Sequence, residues 1–133
     1  MNDYFNYFCA LIGAAFGWFF GDSDGIILAL LAMTFIDYIT GVIAGGIQHK
    51  LSSRVGFKGI AKKLVIFVLV GVAHVIDYEF LGQTAVLRDA VILFFCANEG
   101  ISILENADVI GVPIPDKLRN LFLSMKDNKH SHF

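Results

Sequence analysis

The fold of this chain is decided by residues 25–47, GIILALLAMTFIDYITGVIAGGI, an apolar run in which Asp37 is the single charged residue. About 20 consecutive apolar residues in a helix are enough to cross the hydrocarbon core of a bilayer. This run exceeds that length and is continuous instead of alternating, which favours a membrane-spanning helix over a strand.

The composition of the whole chain agrees with this interpretation. Hydrophobic residues make up 56% of the 133 residues and charged residues only 17%, whereas a typical soluble domain has about 25% charged residues. A small soluble domain needs more polar surface because its surface is large relative to its volume. The composition therefore excludes an ordinary soluble domain and predicts an integral membrane protein.

Three further apolar runs flank the decisive one, and short polar turns separate them at residues 21–25 and 82–84. The runs cover residues 5–20, 64–81 and 86–103. In hydrocarbon every backbone polar group must be paired inside its own element, so we predict an all-α membrane bundle with four transmembrane helices. An alternative has three, because the first run is short and aromatic, which suits a helix lying in the interface.

Basic residues give these predicted helices a direction. The stretch from Tyr38 to Ile76 contains no acidic residue, but it contains five basic ones, Lys50, Arg54, Lys58, Lys62 and Lys63. Lysine and arginine are enriched on the cytoplasmic side of membrane proteins. We therefore expect a multi-pass membrane protein in which the predicted basic loop, residues 48–63, and both termini are cytoplasmic.

The C-terminal tail is separated from the last run by Pro113 and Pro115. Residues 116–126 then have apolar side chains at helical spacing, with Lys117, Arg119 and Lys126 on the other side. The pattern predicts an amphipathic helix on the anionic inner leaflet; packing against a soluble partner or against itself is the alternative. We divide the chain into a transmembrane domain, residues 1–112, and a cytoplasmic tail, residues 113–133.

Glycines recur every fourth residue in the first two runs, at Gly13, Gly17 and Gly21 and again at Gly41 and Gly45. This spacing forms a groove through which two helices approach closely in lipid. The pattern alone leaves open whether the groove packs helices within one copy of the chain or between copies.

Each run from the second onward also carries a stripe of polar residues. The members are Asp37, Thr40, His74, Asp77, Glu99 and Ser102. Charged groups in a membrane are costly, so these side chains are expected to face other helices or water. They are candidates for lining a pore, and the alternative role is to hold the bundle in register.

Catalytic and metal-binding motifs are missing from the sequence. It has no HExxH, GxSxG, Walker or CxxC pattern, and its cysteines, Cys9 and Cys96, are far apart inside apolar runs. We expect no enzyme activity, no bound metal and no cofactor.

Four motifs in the same order resemble the phage holin family, which includes the toxin-secretion holins of clostridia. They match its D-x-x-T-G, K-x-S-S-x-x-G-x-x-G, N-E-x-x-S-I-L-E-N and G-V-P-(I/V)-P patterns, and the resemblance runs from about residue 36 to residue 126. In this chain they are residues 37–41, DYITG; 50–59, KLSSRVGFKG, followed by Lys62 and Lys63; 98–106, NEGISILEN; and 111–115, GVPIP.

The resemblance implies a holin that oligomerises in the cytoplasmic membrane of the bacterial host and forms lesions or pores. Through these an endolysin, or a toxin, would cross without needing direct contact with the holin, and an antiholin would be a further partner. No nucleic-acid partner is expected. A small ion channel or proton-coupled transporter of four-helix subunits is the alternative, since intramembrane carboxylates also serve as ion sites.

Overall fold

The computed structural model describes residues 2–21 and 24–131, apart from the side chains of residues 122 and 125–131. The all-α prediction is confirmed for this part of the chain, which contains helices and no strand. Five helices follow one another: α1 Asn2–Phe20, α2 Gly25–Ile47, α3 Ser53–Phe80, α4 Val86–Ile110 and α5 Asp116–Ser131.

Side chains and glycines set the helix ends. The Asp24 carboxylate accepts a hydrogen bond from the Ile27 N–H at 3.2 Å and so caps α2, and the Ser52 hydroxyl does the same for α3 through the Val55 N–H at 3.1 Å. These are the usual N-cap positions of aspartate and serine. Gly111 ends α4 with φ +99°, a conformation that glycine adopts without strain.

Several predicted boundaries are wrong, two of them by more than five residues. The basic region 48–63, expected as a loop, is helical from Ser53 onward, and α4 continues to Ile110 instead of ending at residue 103. Both errors have one cause: the prediction limited each helix to its apolar run. Lysine, arginine and glutamate are good helix formers, so polar residues extend a capped helix beyond its apolar part.

The chain forms two compact units, of which the first comprises Met1–Leu31 and Ala61–Cys96. Its core is a cluster of buried aliphatic side chains, Leu30, Ile66, Val70 and Ile92. Phe19 of α1 contacts α3 at Gly71, where an added Cβ would overlap the phenylalanine ring. Gly71 therefore provides the space in which the C-terminal end of α1 packs.

The second unit comprises Ala32–Ile60 and Ala97–Phe133. Here Tyr38 of α2 lies against α3, with its hydroxyl 3.6 Å from the position that a Cβ on Gly56 would occupy. Leu51 contacts α2 at Gly45, where an added Cβ would be 3.1 Å from the leucine Cδ2. Gly45 and Gly56 thus leave space for the larger side chains of Leu51 and Tyr38.

Large apolar side chains remain on the surface along most of the helices. Residues 2–18 of α1 are all exposed, and Trp18 has 61% of its surface accessible. Two helices of the described chain, Gly25–Ile47 and Ser53–Phe80, are long and apolar enough to cross a membrane. Such a surface is unfavourable in water and favourable in lipid, which suits a membrane helical bundle.

Candidate functional site: two polar clusters among apolar helices

Arg88, at the start of α4, is the centre of a polar cluster in the first unit and is only 3% exposed. Its guanidinium donates hydrogen bonds to the Asp24 carboxylate at 3.0 and 3.3 Å, to the Asp89 carboxylate at 3.1 Å and to the Phe20 carbonyl at 2.8 Å. A buried arginine needs such partners because an unpaired buried charge is strongly destabilising.

Asp77 of α3 is completely buried beside it. Its carboxylate accepts hydrogen bonds from the backbone N–H groups of Leu87 at 3.1 Å and Arg88 at 2.7 Å, and from the Thr84 hydroxyl at 3.3 Å. The first N–H groups of a helix have no partner within the helix, and a carboxylate there also interacts favourably with the helix dipole. Asp77 therefore caps α4 from a neighbouring helix.

These contacts define the Arg88 cluster: Asp24, Asp77, Thr84, Arg88 and the Phe20 carbonyl. Through it α1, the N-cap of α2, α3 and α4 meet at one place in the first unit. The hydrogen bonds from the Arg88 guanidinium lower the pKa of the Asp24 carboxyl, and the Ile27 N–H acts in the same direction. The cluster thus favours a charged Asp24.

His74 lies at the edge of this cluster, near Gly21. A methyl group added to Gly21 would come within 2.9 Å of the imidazole ring, and the rings of His74 and Tyr78 are 6.0 Å apart. Together with Trp18 and Arg88 they line an open crevice of about 430 Å³. His74 and Asp77, one turn apart in sequence, therefore lie at different places: the crevice and the cap of α4.

The second unit contains the Asp37 cluster, which consists of Asp37, Thr40 and Asn106. The Asn106 side-chain amide donates to the Asp37 carboxylate at 2.9 Å, to the Asp37 carbonyl at 3.2 Å and to the Thr40 hydroxyl at 3.0 Å. The Thr40 hydroxyl donates to the Ile36 carbonyl at 2.8 Å. Gly41 allows this approach, since a Cβ there would be 3.5 Å from the amide nitrogen.

The remaining polar candidates lie on α4. Glu99 is buried and Ser102 is half-buried. The contact of α4 with Asp37 described above is made by Asn106. The structure therefore brings together Asp37 and Thr40 of the predicted set and adds Asn106, Arg88 and Asp24, which are not among the predicted pore-lining candidates.

The glycines of α1 fall into two classes. Apart from the backbone of α1 itself, no atom lies within 4 Å of the position that a Cβ would occupy on Gly13 or Gly17, whereas Gly21 is crowded by His74 and has φ +80°. Within the described part of the chain, the groove over Gly13 and Gly17 is therefore not used for packing.

The tail residues also differ from one another. Lys117 is exposed, and Arg119 forms an ion pair with Asp108 at 2.8 Å, which connects α5 to the end of α4. The side chain of Lys126 lies outside the described residues. Exposed pairs of this kind contribute little stability.

Comparison with known proteins assigns the chain to a family. Residues 14–127 match the model of the bacteriophage holin family. An uncharacterised protein of Listeria innocua is 50% identical over 111 residues, which cover 84% of this chain and 79% of that protein. The protein of the nagH 3' region of Clostridium perfringens is 41% identical over 118 residues, 89% of each chain.

A third relative, an uncharacterised protein of Bacillus subtilis, is 33% identical over 120 residues, 90% of this chain and 89% of that protein. No solved structure matches the chain. The family match covers most of the sequence and confirms the resemblance based on the four motifs. The chain belongs to the bacteriophage holin family, a family of non-enzymatic membrane proteins.

Proposed function

We propose that the protein is a holin: it oligomerises in the cytoplasmic membrane of the bacterial host and forms lesions or pores through which an endolysin, or a toxin, crosses. The family match over residues 14–127 carries this proposal. The exposed apolar helices support it, because lipid is the environment in which they are stable.

The assembly surface that we propose is α1. Its N-terminal 17 described residues, 2–18, are all exposed, and the backbone at Gly13 and Gly17 has open space above it. Helices associate in lipid where small residues let their backbones approach. A second copy of the chain would bring its own α1 to this groove.

The two polar clusters have a role in the state before assembly. Their polar groups are hydrogen-bonded within the chain, which lowers the cost of placing them in lipid. We propose that assembly turns the stripe with Asp37, His74, Asp77, Glu99 and Ser102 towards water, where these groups no longer need one another. Ser102 and Glu99 would then line the lesion on α4.

Four spans, with residues 1–112 in the membrane and residues 113–133 forming a cytoplasmic tail, are part of the same proposal. Neither a direct contact with the endolysin nor a cofactor is required. An antiholin would act as a separate inhibitory partner.

Expression in bacteria together with a cytoplasmic endolysin tests the function. Abrupt lysis, and passage of folded proteins through the membrane, are the expected results. A membrane that passes small ions but no folded proteins would favour a channel or transporter. A membrane that passes neither small ions nor folded proteins would leave a purely structural role. Both results contradict the holin function. A catalytically inactive endolysin is the matched control for lysis.

A further inference from the structure

A ridge of basic side chains runs along the first turns of α3. It consists of Arg54, Lys58 and Lys62, which are all exposed and spaced four residues apart. Residues at this spacing lie one above the other on the same side of a helix. Lys50, also exposed, precedes the helix.

Two members of the ridge, Arg54 and Lys58, lie in the second unit and face away from the packed side of α3 there. Gly56 and Gly59 are the residues through which this part of α3 meets Tyr38 of α2. A Cβ added to Gly56 would lie 3.6 Å from the tyrosine hydroxyl, and one added to Gly59 would lie 3.9 Å from its Cε2. Gly56 is two residues from both Arg54 and Lys58, which places it roughly half a turn away from them. Arg54 and Lys58 are therefore directed away from the packed side of α3 in the second unit.

Like charges at this spacing destabilise a helix unless an anion compensates them. No ion pair within residues 2–21 and 24–131, as far as their side chains are described, involves Lys50, Arg54, Lys58 or Lys62. The sequence from Tyr38 to Ile76 has no carboxylate that could serve. An anion that offsets this repulsion would therefore come from outside this segment.

Apolar side chains in the same turns indicate where that anion lies. Val55 is 59% exposed and Phe57 is 76% exposed, so cations and bulky apolar groups alternate on one surface. This combination is typical of helices at a membrane interface and not of helices that bind nucleic acid in water. Lysine and arginine there keep their stems in the apolar region and extend their charged ends to the headgroups.

The length of α3 also places the ridge in the headgroup layer of the membrane. Its 28 residues span about 42 Å at about 1.5 Å per residue, whereas the hydrocarbon core is about 30 Å thick. With the apolar C-terminal part in the hydrocarbon, about eight residues remain for the headgroup layer. Those residues carry Arg54 and Lys58, and Lys62 follows one turn later.

We propose that this ridge is a binding site for the phosphate groups of anionic phospholipids, such as phosphatidylglycerol, in the leaflet that it faces. The inference rests on residence in the membrane, which the proposed function also requires, but not on lesion formation. It differs from general attraction of the tail to a charged surface, because it assigns lipid selectivity to three side chains of α3.

Lipid retention by the purified full chain tests the site. The protein in mild detergent is incubated with equal amounts of phosphatidylglycerol and phosphatidylcholine, passed through a sizing column, and its retained lipid is quantified by mass spectrometry. We expect the unmodified chain to retain more phosphatidylglycerol. Lys58→Gln should lower that enrichment by about fivefold, and the combination of Arg54→Gln, Lys58→Gln and Lys62→Gln should abolish it.

Charge-preserving changes provide the control: Arg54→Lys, Lys58→Arg and Lys62→Arg together should keep the enrichment. Circular dichroism identifies a variant that fails to fold. If the triple glutamine variant does not fold, lipid retention by the single variants Lys58→Gln and Lys62→Gln tests the site. Equal retention of the two lipids by the unmodified chain, or unchanged enrichment in folded glutamine variants, overturns the site. Displacement of the lipid by an equal concentration of inorganic phosphate would contradict recognition of a membrane headgroup. Lysis assays are not involved, so a failed holin function leaves this result interpretable.

Discussion

At the scale of single residues, variants of Asp37 and Asn106 test the proposed mechanism most directly. Asp37→Leu removes the carboxylate that accepts the Asn106 amide at 2.9 Å. Hydrogen bonds between membrane helices contribute about 0.6 kcal/mol on average and at most about 1.7 kcal/mol. We expect the variant to remain in the membrane but to change the time of lysis or to abolish lysis, measured as culture turbidity after induction.

Asp37→Asn separates hydrogen bonding from charge at this position, because an asparagine retains an oxygen that can accept the Asn106 amide. If the contact matters, Asp37→Asn lyses on the normal schedule and Asn106→Leu reproduces Asp37→Leu. If charge matters, Asp37→Asn behaves like Asp37→Leu. Unchanged timing in Asp37→Leu would remove Asp37 from the mechanism.

Asp77 is a second residue with a defined contribution, as the cap of α4. Asp77→Ala leaves the N–H groups of Leu87 and Arg88 without their acceptor, and loss of a capping side chain typically costs about 1 kcal/mol. We expect a lower melting temperature in detergent, with Asp77→Asn intermediate. Glu79→Ala, an exposed carboxylate on the same helix, is the control; an equal decrease in both alanine variants would argue against capping.

The ion pair of Asp24 with Arg88 predicts a pH dependence of stability. The pKa of Asp24 is lowered from 3.8 in the folded chain, so folding favours the charged carboxylate. The stabilisation that the charged Asp24 provides is therefore present above pH 3.8 and is lost as the pH falls through the lower pKa of the folded chain. We expect Asp24→Asn to melt below the unmodified chain at about pH 7, and this difference to decrease as the pH is lowered below 3.8. A difference that persists in acid would contradict the assignment.

The sequence identified some of these residues and missed others for a physical reason. Asp37 was recognisable because a carboxylate within an apolar run needs a partner. That the partner is Asn106 depends on the register between α2 and α4, which periodicity within one helix does not determine. Asp24 precedes an apolar run, a known sign of a helix start, whereas its contact with Arg88 spans 64 positions.

At the scale of helices, α1 provides a test of assembly. Gly17 has no atom within 4 Å of the position that an added Cβ would occupy, so Gly17→Leu should leave the monomer folded and block close approach of a second helix. We expect crosslinked oligomers in membranes to decrease by at least about tenfold, which corresponds to about 1.4 kcal/mol. Ala15→Leu, an equally exposed small residue on the other side of α1, should preserve them.

An unaffected crosslinking pattern in Gly17→Leu would show that the groove over Gly13 and Gly17 is not the contact between copies. Loss of oligomers in Ala15→Leu as well would indicate a general effect of bulk on α1. Either result would contradict the proposed assembly surface without affecting membership of the family.

Helix existence was predictable from the sequence, but helix ends were not. All four apolar runs and the tail contain helices, because hydrocarbon leaves the backbone few other ways to pair its polar groups. The ends of α3 and α4 depend instead on capping, which Ser52 and Gly111 provide outside the apolar pattern. The same extension of α3 converts a predicted loop into the basic ridge.

At the scale of the whole molecule, the number of spans is the central question, and α1 decides it. Four spans place the N-terminus on the same side as the basic ridge and the tail. If α1 lies in the interface, the N-terminus is on the opposite side, next to the turn between α3 and α4. Position 2 therefore has opposite locations in the two arrangements, while position 83 is outside in both.

Cysteine labelling of intact cells distinguishes them. In a background with Cys9→Ser and Cys96→Ser, which removes both native thiols, Gln83→Cys should react with a membrane-impermeant maleimide before lysis. With four spans, Asn2→Cys and Gln48→Cys react only after the membrane is opened. Labelling of Asn2→Cys in intact cells would instead establish three spans. Labelling of Gln48→Cys in intact cells would show the opposite orientation. The basic residues would then face outward, against the usual charge distribution of bacterial membrane proteins.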